Sequence, residues 1–345
     1  MSFKVRLQPG GHEFNVDADE TILDAALSRG LTLPYGCRGG ACGACKSRLL
    51  TGSVNYGTFK PPALSDADLN TGYTLLCQAR PTSDVTVEVH ETSDSDAIPL
   101  KTLPCRVERV EQLAPDVIHV YLKLPPTERL QFRAGQYIDF LLRDGRRRSF
   151  SIANAPHDDE YIELHIKRIE GGRFTGGAQF EFKEKTLLRL EGPHGNFYLR
   201  EDPSRPVIFV AGGTGFAPIK AMLEHAFAEG ITRPLHLYWG AATRSGLYLD
   251  ELVRSWAVQH PNFRYTPALS EPLPEDTWRG AQGYVTDAVL RDYPALQGFD
   301  VYASGPPALV QAAHRDFTAH GLAQENFYAD PFEFTQDTLP AGAIP

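Results

Sequence analysis

Apolar and polar positions alternate at the start of the chain, which is the pattern of half-buried β-strands. Two alternating runs are separated by Gly10 and Gly11, and a glycine pair between such runs predicts a hairpin. The apolar positions are Phe3, Val5 and Leu7 before the turn and Phe14 and Val16 after it.

The period then changes from two to that of a helix. Asp19 or Thr21 can cap this predicted helix, and Gly30 can end it. Its apolar side consists of Ile22, Leu23, Ala26 and Leu27. A last alternation at Val85, Val87 and Val89 predicts a closing strand. Few strands, one helix and a long loop predict a small α+β domain over residues 1–92, and the polar stretch after it predicts a linker over residues 93–100.

The rest of the chain divides into two further predicted domains. Residues 101–202 are mainly β, with one face formed by Ile118, Val120, Leu122 and Leu124 and another by Ile162, Leu164 and Ile166. Such strands, separated by turn signals, predict a small antiparallel barrel. From 203 to 345, apolar strands alternate with helical stretches, which predicts a parallel sheet covered by helices.

Composition and charge narrow the classes of function. The chain has 345 residues and a formal net charge of -9, so it lacks the basic footprint of a general nucleic-acid binder. No apolar run approaches the length that a membrane span needs, and the N-terminus has no apolar signal region. We therefore expect a cytoplasmic protein, with an acidic surface that serves solubility or faces a basic protein partner.

Four cysteines carry most of the chemical information. Cys37, Cys42 and Cys45 have C-x4-C-x2-C spacing, and Cys77 follows at a distance, which is the plant-type arrangement that holds a 2Fe-2S cluster. The glycines of this loop, Gly36, Gly39, Gly40 and Gly43, allow the backbone to wrap closely around such a cluster. The alternatives are a zinc site, which usually pairs two short knuckles, or two disulfides, which suit secreted proteins. The fifth cysteine, Cys105, is expected to be structural.

A glycine-rich turn follows the apolar strand at 207–210. Its sequence is Ala211-Gly-Gly-Thr-Gly-Phe-Ala-Pro218, and it opens a predicted helix. In this arrangement Gly212, Gly213 and Gly215 let the backbone approach a pyrophosphate, which the free N–H groups of the helix N-terminus would stabilise. An ordinary tight turn is the alternative.

Two basic strand ends in the β-rich segment add further phosphate-binding candidates. One is the run Arg148-Ser149-Phe150-Ser151, in which arginine suits a diphosphate and the ring can flank a flat heterocycle. The other consists of His165 and Lys167, followed by a glycine turn with Gly171, Gly172 and Thr175. Amides of such a turn can bind phosphate. The alternative is an edge strand with a solvated basic end.

Together these motifs resemble the three-domain NADH-dependent ferredoxin reductases, in all three segments. The resemblance implies a β-grasp ferredoxin domain, an antiparallel FAD barrel and a Rossmann-like NAD domain with a C-terminal segment that shields the flavin. It places Arg148 on the FAD pyrophosphate, Phe150 on the flavin and Ser151 near flavin N5. It likewise places the turn at Gly171, Gly172 and Thr175 on the FAD phosphates and Gly213, Thr214 and Gly215 around the nicotinamide nucleotide.

The chain departs from the family pattern at two positions. Phe150 stands where the flavin motif has tyrosine, which keeps the ring and loses a hydroxyl. Ser304 stands where cysteine is common near the nicotinamide, so hydride transfer is expected to be slower. In the terminal motif Tyr328-Ala-Asp-Pro-Phe332, Phe332 is the aromatic expected to shield the flavin, and a core aromatic is the alternative.

The resemblance implies an iron–sulfur flavoprotein oxidoreductase that moves electrons from NADH through FAD and the 2Fe-2S cluster to a partner protein. That partner would be an oxygenase component or a dehydrase of the CDP-6-deoxyhexulose type. Ser151, Thr214 and Ser304 would line the reacting atoms. NADH is preferred over NADPH because the acidic Glu271 follows Ser270, although Arg244 opposes this preference. A non-enzymatic flavin and iron–sulfur redox sensor is the alternative function.

Overall fold

The computed structural model describes residues 2–31, 33–89, 98–168, 182–200 and 204–332. The chain forms two compact units, Met1–Ala97 and Ile98–Pro345. Most of the predicted linker lies outside the described residues, and the exact domain boundaries stay a prediction. Among the described residues, no helix has both the length and the apolar character needed to cross a bilayer.

The first unit is the predicted small α+β domain. Its main sheet has the strand order β2-β1-β7-β3-β5, and β4 pairs with β6. Thr21 caps α1, since its Oγ1 accepts from Asp24 N at 3.1 Å. The elements are β1 (Ser2–Gln8), β2 (Glu13–Asp17), α1 (Ile22–Ser28), β3 (Lys46–Thr51), β4 (Val54–Asn55), α2 (Asp66–Asn70), β5 (Tyr73–Leu75), β6 (Arg80–Pro81) and β7 (Val85–Glu88). The apolar positions predicted for the hairpin and helix fill its core, apart from the half-buried Leu27 and Phe3.

The second unit begins with an antiparallel sheet in the order β11-β10-β13-β8-β9-β12. A bridge between Ile152 and Leu164 joins its two edges, which confirms the predicted barrel. Its strands are β8 (Lys101–Ala114), β9 (Val117–Lys123), β10 (Tyr137–Leu141), β11 (Arg147–Ser151), β12 (Ile162–Lys167) and β13 (Leu187–His194). The predicted apolar faces of β9 and β12 form its core.

A parallel sheet completes this unit, in the order β17-β16-β15-β14-β18-β19. Alternate residues of its central strand β14 enter two separate apolar cores, Phe209 with α3 and α4 and Ile208 with α5 and α6. Burial on both faces explains why β14 is continuously apolar. The elements are β14 (Val207–Gly212), α3 (Phe216–Ala228), β15 (Leu235–Ala241), α4 (Asp250–Gln259), β16 (Phe263–Leu269), β17 (Ala281–Gln282), α5 (Val285–Asp292), β18 (Asp300–Gly305), α6 (Pro307–Ala319) and β19 (Phe327–Pro331).

Candidate functional site

The four cysteines of the plant-type motif come together in the first unit. Three lie in the loop between α1 and β3, and Cys77 lies in the turn after β5. Cys77 hydrogen-bonds with Cys45 and interacts electrostatically with Cys37 and Cys42. The hydrogen bond with Cys45, burial and the neighbouring sulfurs all raise the pKa of the Cys77 thiol. Thiols this close to one another form a site that a cationic metal centre would stabilise as thiolates.

Backbone amides surround these sulfurs. Ala41 N and Cys42 N each lie 3.4 Å from Cys37 Sγ, and Cys37 N and Ala44 N each lie 3.4 Å from Cys42 Sγ. Gly40 adopts φ +87°, and a Cβ there would lie 3.1 Å from side-chain atoms of Gln78 and Pro61. A tight loop that directs N–H groups at sulfur is what an iron–sulfur cluster requires, so the residues fit the predicted group.

Side-chain contacts fix this loop to the rest of its unit. Arg38, at φ +57°, forms an ion pair with Asp24 of α1 at 2.5 Å. Gln78, next to Cys77, donates from Nε2 to Arg38 O at 2.7 Å. These bonds connect the cysteine loop, the helix and the turn that carries the fourth cysteine.

Strand β11 carries the basic motif of the barrel. Arg148 is 8% exposed and Phe150 is half-buried on the same side of the strand, with the Phe150 ring 5.6 Å from that of Phe140. Ser149 lies on the opposite side, where its Oγ donates to Asp139 Oδ1 at 2.6 Å. A buried guanidinium beside an aromatic ring fits a ligand that joins a diphosphate to a flat heterocycle.

The two basic residues of the second strand end lie in different environments. His165 of β12 is buried, and its Nδ1 lies 3.1 Å from Tyr248 Oη. Burial, and then the charges of His119 and Lys220, lower the pKa of His165 well below its usual 6.5, so it is neutral. Lys167 is exposed and forms an ion pair with Asp116 at 3.2 Å. Gly171, Gly172 and Thr175 lie outside the described residues, and the assignment of this segment to FAD stays a prediction.

The glycine-rich turn forms the predicted strand–turn–helix unit. Gly212 ends β14, residues Gly213–Gly215 form a 3-10 turn, and α3 starts at Phe216. Gly213 has φ +53° with open space at its Cβ position, and Trp239 Nε1 donates to its carbonyl oxygen at 2.9 Å. Thr214 is 8% exposed. A glycine turn that opens a helix suits a phosphate, because the helix N-terminus carries a partial positive charge.

The carboxyl ends of β14 and β18 meet through their backbones. A Cβ at Gly215 would lie 2.1 Å from Ser304 O, and one at Gly305 would lie 2.7 Å from Gly212 O. Glycine at these positions therefore brings the turn directly against the strand end that carries Ser304. Phe332 is half-buried beside them, and its backbone N donates to Gly305 O at 2.8 Å.

Asp330, which was not predicted as a site residue, is hydrogen-bonded to two of the predicted catalytic residues. Ser151 Oγ donates to Asp330 Oδ2 at 3.2 Å from the barrel, and Ser304 Oγ donates to Asp330 O at 3.2 Å from the parallel sheet. Burial, which outweighs the hydrogen bond from Ser151, raises the pKa of Asp330 to about 7. The available signal was a lone carboxyl in an otherwise apolar run at the end of a parallel strand.

We expect Asp330→Asn to change how stability depends on pH. The folded pKa of about 7 lies above the ordinary value of 3.8, so the folded protein binds more protons and loses stability as pH rises between these values. The loss is complete above pH 7 and amounts to about 4 kcal/mol at most. The amide of the variant cannot ionise, so the variant should gain stability over the parent at pH 8 and not at pH 4. Denaturant unfolding at both pH values measures this, and an equal difference at both would contradict the raised pKa.

Three families match successive parts of the chain. These are the 2Fe-2S iron-sulfur cluster binding domain over residues 5–82, the oxidoreductase FAD-binding domain over 104–198 and the oxidoreductase NAD-binding domain over 209–315. Each match covers the segment in which the corresponding motif was found.

Similar proteins extend over nearly the whole chain. It is 42% identical over 332 residues to the CDP-6-deoxy-L-threo-D-glycero-4-hexulose-3-dehydrase reductase of Yersinia pestis, with 96% of this chain and 99% of that protein covered. It is 36% identical over 345 residues to reductase component 1 of a Comamonas terephthalate 1,2-dioxygenase, with 99% and 100% covered. Among solved structures, an Amycolatopsis cytochrome P450 reductase is 33% identical at a TM-score of 0.78, with 96% and 98% covered.

Proposed function

This chain belongs to the family of three-domain NADH-dependent ferredoxin reductases, and on that basis we propose that it supplies electrons to a separate redox protein. It is an oxidoreductase of electron transport with domains for a 2Fe-2S cluster, FAD and NAD. The observation that carries the proposal is the meeting of Ser151, Ser304 and Asp330, where the barrel reaches the end of the parallel sheet.

We propose that the four cysteines hold the cluster and that both sides of this junction hold the other cofactors. Arg148 would bind the FAD diphosphate, Phe150 would pack on the flavin, and Phe332 would shield it. The turn Gly212, Gly213, Thr214 and Gly215 would hold the NADH phosphates. The predicted FAD contacts of Ser149, His165, Lys167, Gly171, Gly172 and Thr175 remain part of the proposal.

The residues at the junction position reactants and retain a proton. FAD held at this junction would supply the chemistry that connects a two-electron donor to a one-electron cluster. Ser151 orients the Asp330 side chain through its hydroxyl, while Ser304 holds the Asp330 backbone. Because burial raises the pKa of Asp330 to about 7, its carboxyl can hold a proton near neutral pH, where an exposed aspartate would be ionised. A buried proton donor between the two domains suits a reaction in which the charge of the cofactors changes.

The acceptor is proposed to be a CDP-6-deoxyhexulose type dehydrase or an oxygenase component. The higher identity to the Yersinia pestis reductase favours a dehydrase of the CDP-6-deoxyhexulose type as the first acceptor to test. The test supplies the purified reductase with NADH and each acceptor protein in turn. The readout is the amount of product that the acceptor protein forms as NADH is oxidised. A failure to oxidise NADH even with ferricyanide would contradict the reductase function and favour the redox sensor. We also propose a cytoplasmic location, which agrees with the reduced thiols that the cysteine site needs.

NADH is expected to give a larger kcat/KM than NADPH, by about tenfold or more. Glu271 follows strand β16, with its backbone N bonded to Ala242 O at 2.9 Å. Arg244, the cation that opposes this preference, lies beside Asp276: its guanidinium Nη1 donates to Asp276 O at 3.4 Å, and its backbone N donates to Asp276 Oδ2 at 3.4 Å. The negative charges of Glu271 and Asp276 would repel the 2′-phosphate of NADPH.

Steady-state reduction of cytochrome c with each nucleotide measures this preference. Glu271→Ser should raise kcat/KM for NADPH and leave kcat with NADH unchanged. The matched control is Glu275→Ser, an exposed glutamate of the same region. Equal or better use of NADPH by the parent protein would refute the assignment.

A further inference from the structure

Lys220 of α3 is a buried cation at the junction of the barrel and the parallel sheet. It is 6% exposed, and its Nζ donates to Ala153 O of the barrel at 3.0 Å. Glu224, one turn later on the same helix, lies 2.8 Å from Nζ, and Glu163 Oε2 of β12 lies 3.6 Å from it. Ala153 O and Glu224 therefore accept hydrogen bonds from the ammonium group, and Glu163 adds a second negative charge at a longer distance.

The barrel side of this pocket is itself fixed. Ala153 N donates to Glu163 O at 2.8 Å, so the carbonyl and the carboxylate that face Lys220 belong to one bonded segment. Glu163 Oε2 also lies 3.1 Å from His119 Nε2. Burial alone would raise the pKa of Glu163, but the bond from His119 and the charge of Lys220 together lower it, so Glu163 is a carboxylate. Burying an ammonium is costly, and the cost is offset only by partners in good geometry such as these.

Lys220 connects the two segments that our proposed function assigns to the cofactors. Ala153 follows Ser151 by two residues, and Lys220 follows Gly215 by five residues, one turn into the helix that the glycine turn opens. A helical turn and a bonded β-segment are both rigid, so a displacement at Nζ moves the turn relative to β11. We propose that Lys220 is a positioning residue that sets the distance between the glycine turn, where the nicotinamide nucleotide would bind, and strand β11, where the flavin would bind.

Other contacts keep the two domains together when Lys220 is replaced. A Cβ at Gly135 of the barrel would lie 2.3 Å from Met222 Cε, so α3 packs closely on that loop. Arg200 N donates to Tyr302 Oη at 2.8 Å. We therefore expect the interface to remain when Lys220 is replaced, while the distance between the glycine turn and β11 is no longer fixed.

The test compares Lys220→Met and Lys220→Met/Glu224→Gln with the parent, using the complete protein with its cofactors. The double variant removes one of the carboxylates that the single change leaves without its cation. The matched control is Arg254→Met, which breaks the Arg254–Asp250 pair at 2.8 Å, also spaced four residues apart but confined to α4. Both Lys220 variants should lose about tenfold or more in kcat for ferricyanide reduction with NADH, since a small misplacement of reactants is costly.

Two readouts separate positioning from general destabilisation. The kinetic isotope effect with NADH deuterated at C4 should rise in the Lys220 variants, with KM for NADH within about threefold of the parent. Amide hydrogen exchange should increase at 151–154 and 216–224 and remain unchanged in the first unit. The control should match the parent in both.

Unchanged kcat and isotope effect in a folded Lys220 variant would overturn the positioning role. So would a fall in kcat without any change in isotope effect or exchange at these segments. If the single variant does not fold, the double variant decides by the same criteria, and loss of folding in both makes Lys220 a structural residue and overturns the proposal. A parent protein that does not oxidise NADH would instead contradict the proposed function.

Discussion

Replacing Cys77 with serine is expected to lower cytochrome c reduction by about a hundredfold or more and to leave ferricyanide reduction with NADH nearly intact. Cys77 is 5% exposed and hydrogen-bonds with Cys45, so it completes a set of four sulfurs that three loop cysteines cannot form alone. Serine offers an alcohol oxygen in place of the soft sulfur ligand and is a poor ligand for iron. Ferricyanide can take electrons from the flavin, whereas a one-electron protein acceptor depends on the cluster.

Cytochrome c reduction and ferricyanide reduction check this prediction, together with the iron and acid-labile sulfide content per protein. The matched control is Cys105→Ser, which makes the same substitution at a thiol that is 2% exposed in the barrel. Burial raises the pKa of Cys105 to about 12, so it stays protonated, and its variant should keep iron, sulfide and both activities. Retention of cytochrome c reduction in Cys77→Ser would place the cluster outside the electron path.

The meeting of the four cysteines could be predicted from the sequence because most of the arrangement is local. Three ligands lie within one short loop, and spacing alone limits which metal centres they can surround. Likewise, β14 and α3 could be predicted together, since an apolar strand, a glycine turn and a periodic helix are adjacent in the chain. The family comparisons confirm the three-domain fold and the three cofactor classes.

Contacts between distant segments could not be predicted in the same way. Asp330 is an ordinary acidic residue in the sequence, and only the pairing of β18 with β19 and the approach of the barrel place it beside Ser304 and Ser151. In the sequence, Lys220 is an ordinary polar position on a helix, and only the packing of the barrel against α3 buries it. The contact between His165 and Tyr248 is another example, since 83 residues separate them in the chain, and the assignment of His165 to FAD stays a prediction.

Gly215→Ala is expected to lower NADH-dependent ferricyanide reduction by about a hundredfold. The φ of Gly215 is -57°, an ordinary helical value, so alanine causes no backbone strain there. The effect is purely steric, because the new Cβ would lie 2.1 Å from Ser304 O and 2.7 Å from Gly305 Cα. Both neighbours are backbone atoms, and the turn and the strand end must therefore separate. That separation moves Ser304 and Asp330 away from the glycine turn, with a stability loss of about 1–3 kcal/mol.

Gly230→Ala at the other end of α3 is the matched control, because it costs similar stability for a different reason. Gly230 has φ +65° with no atom within 4 Å of the Cβ position, so alanine there is strained by about 1–2 kcal/mol without a clash. Thermal unfolding should thus show comparable losses for the two variants, and only Gly215→Ala should lose activity. FAD content should be unchanged in both, since Arg148 and Phe150 lie in the barrel. If activity instead follows stability in both variants, the close approach of Gly215 to Ser304 has no specific part in the reaction.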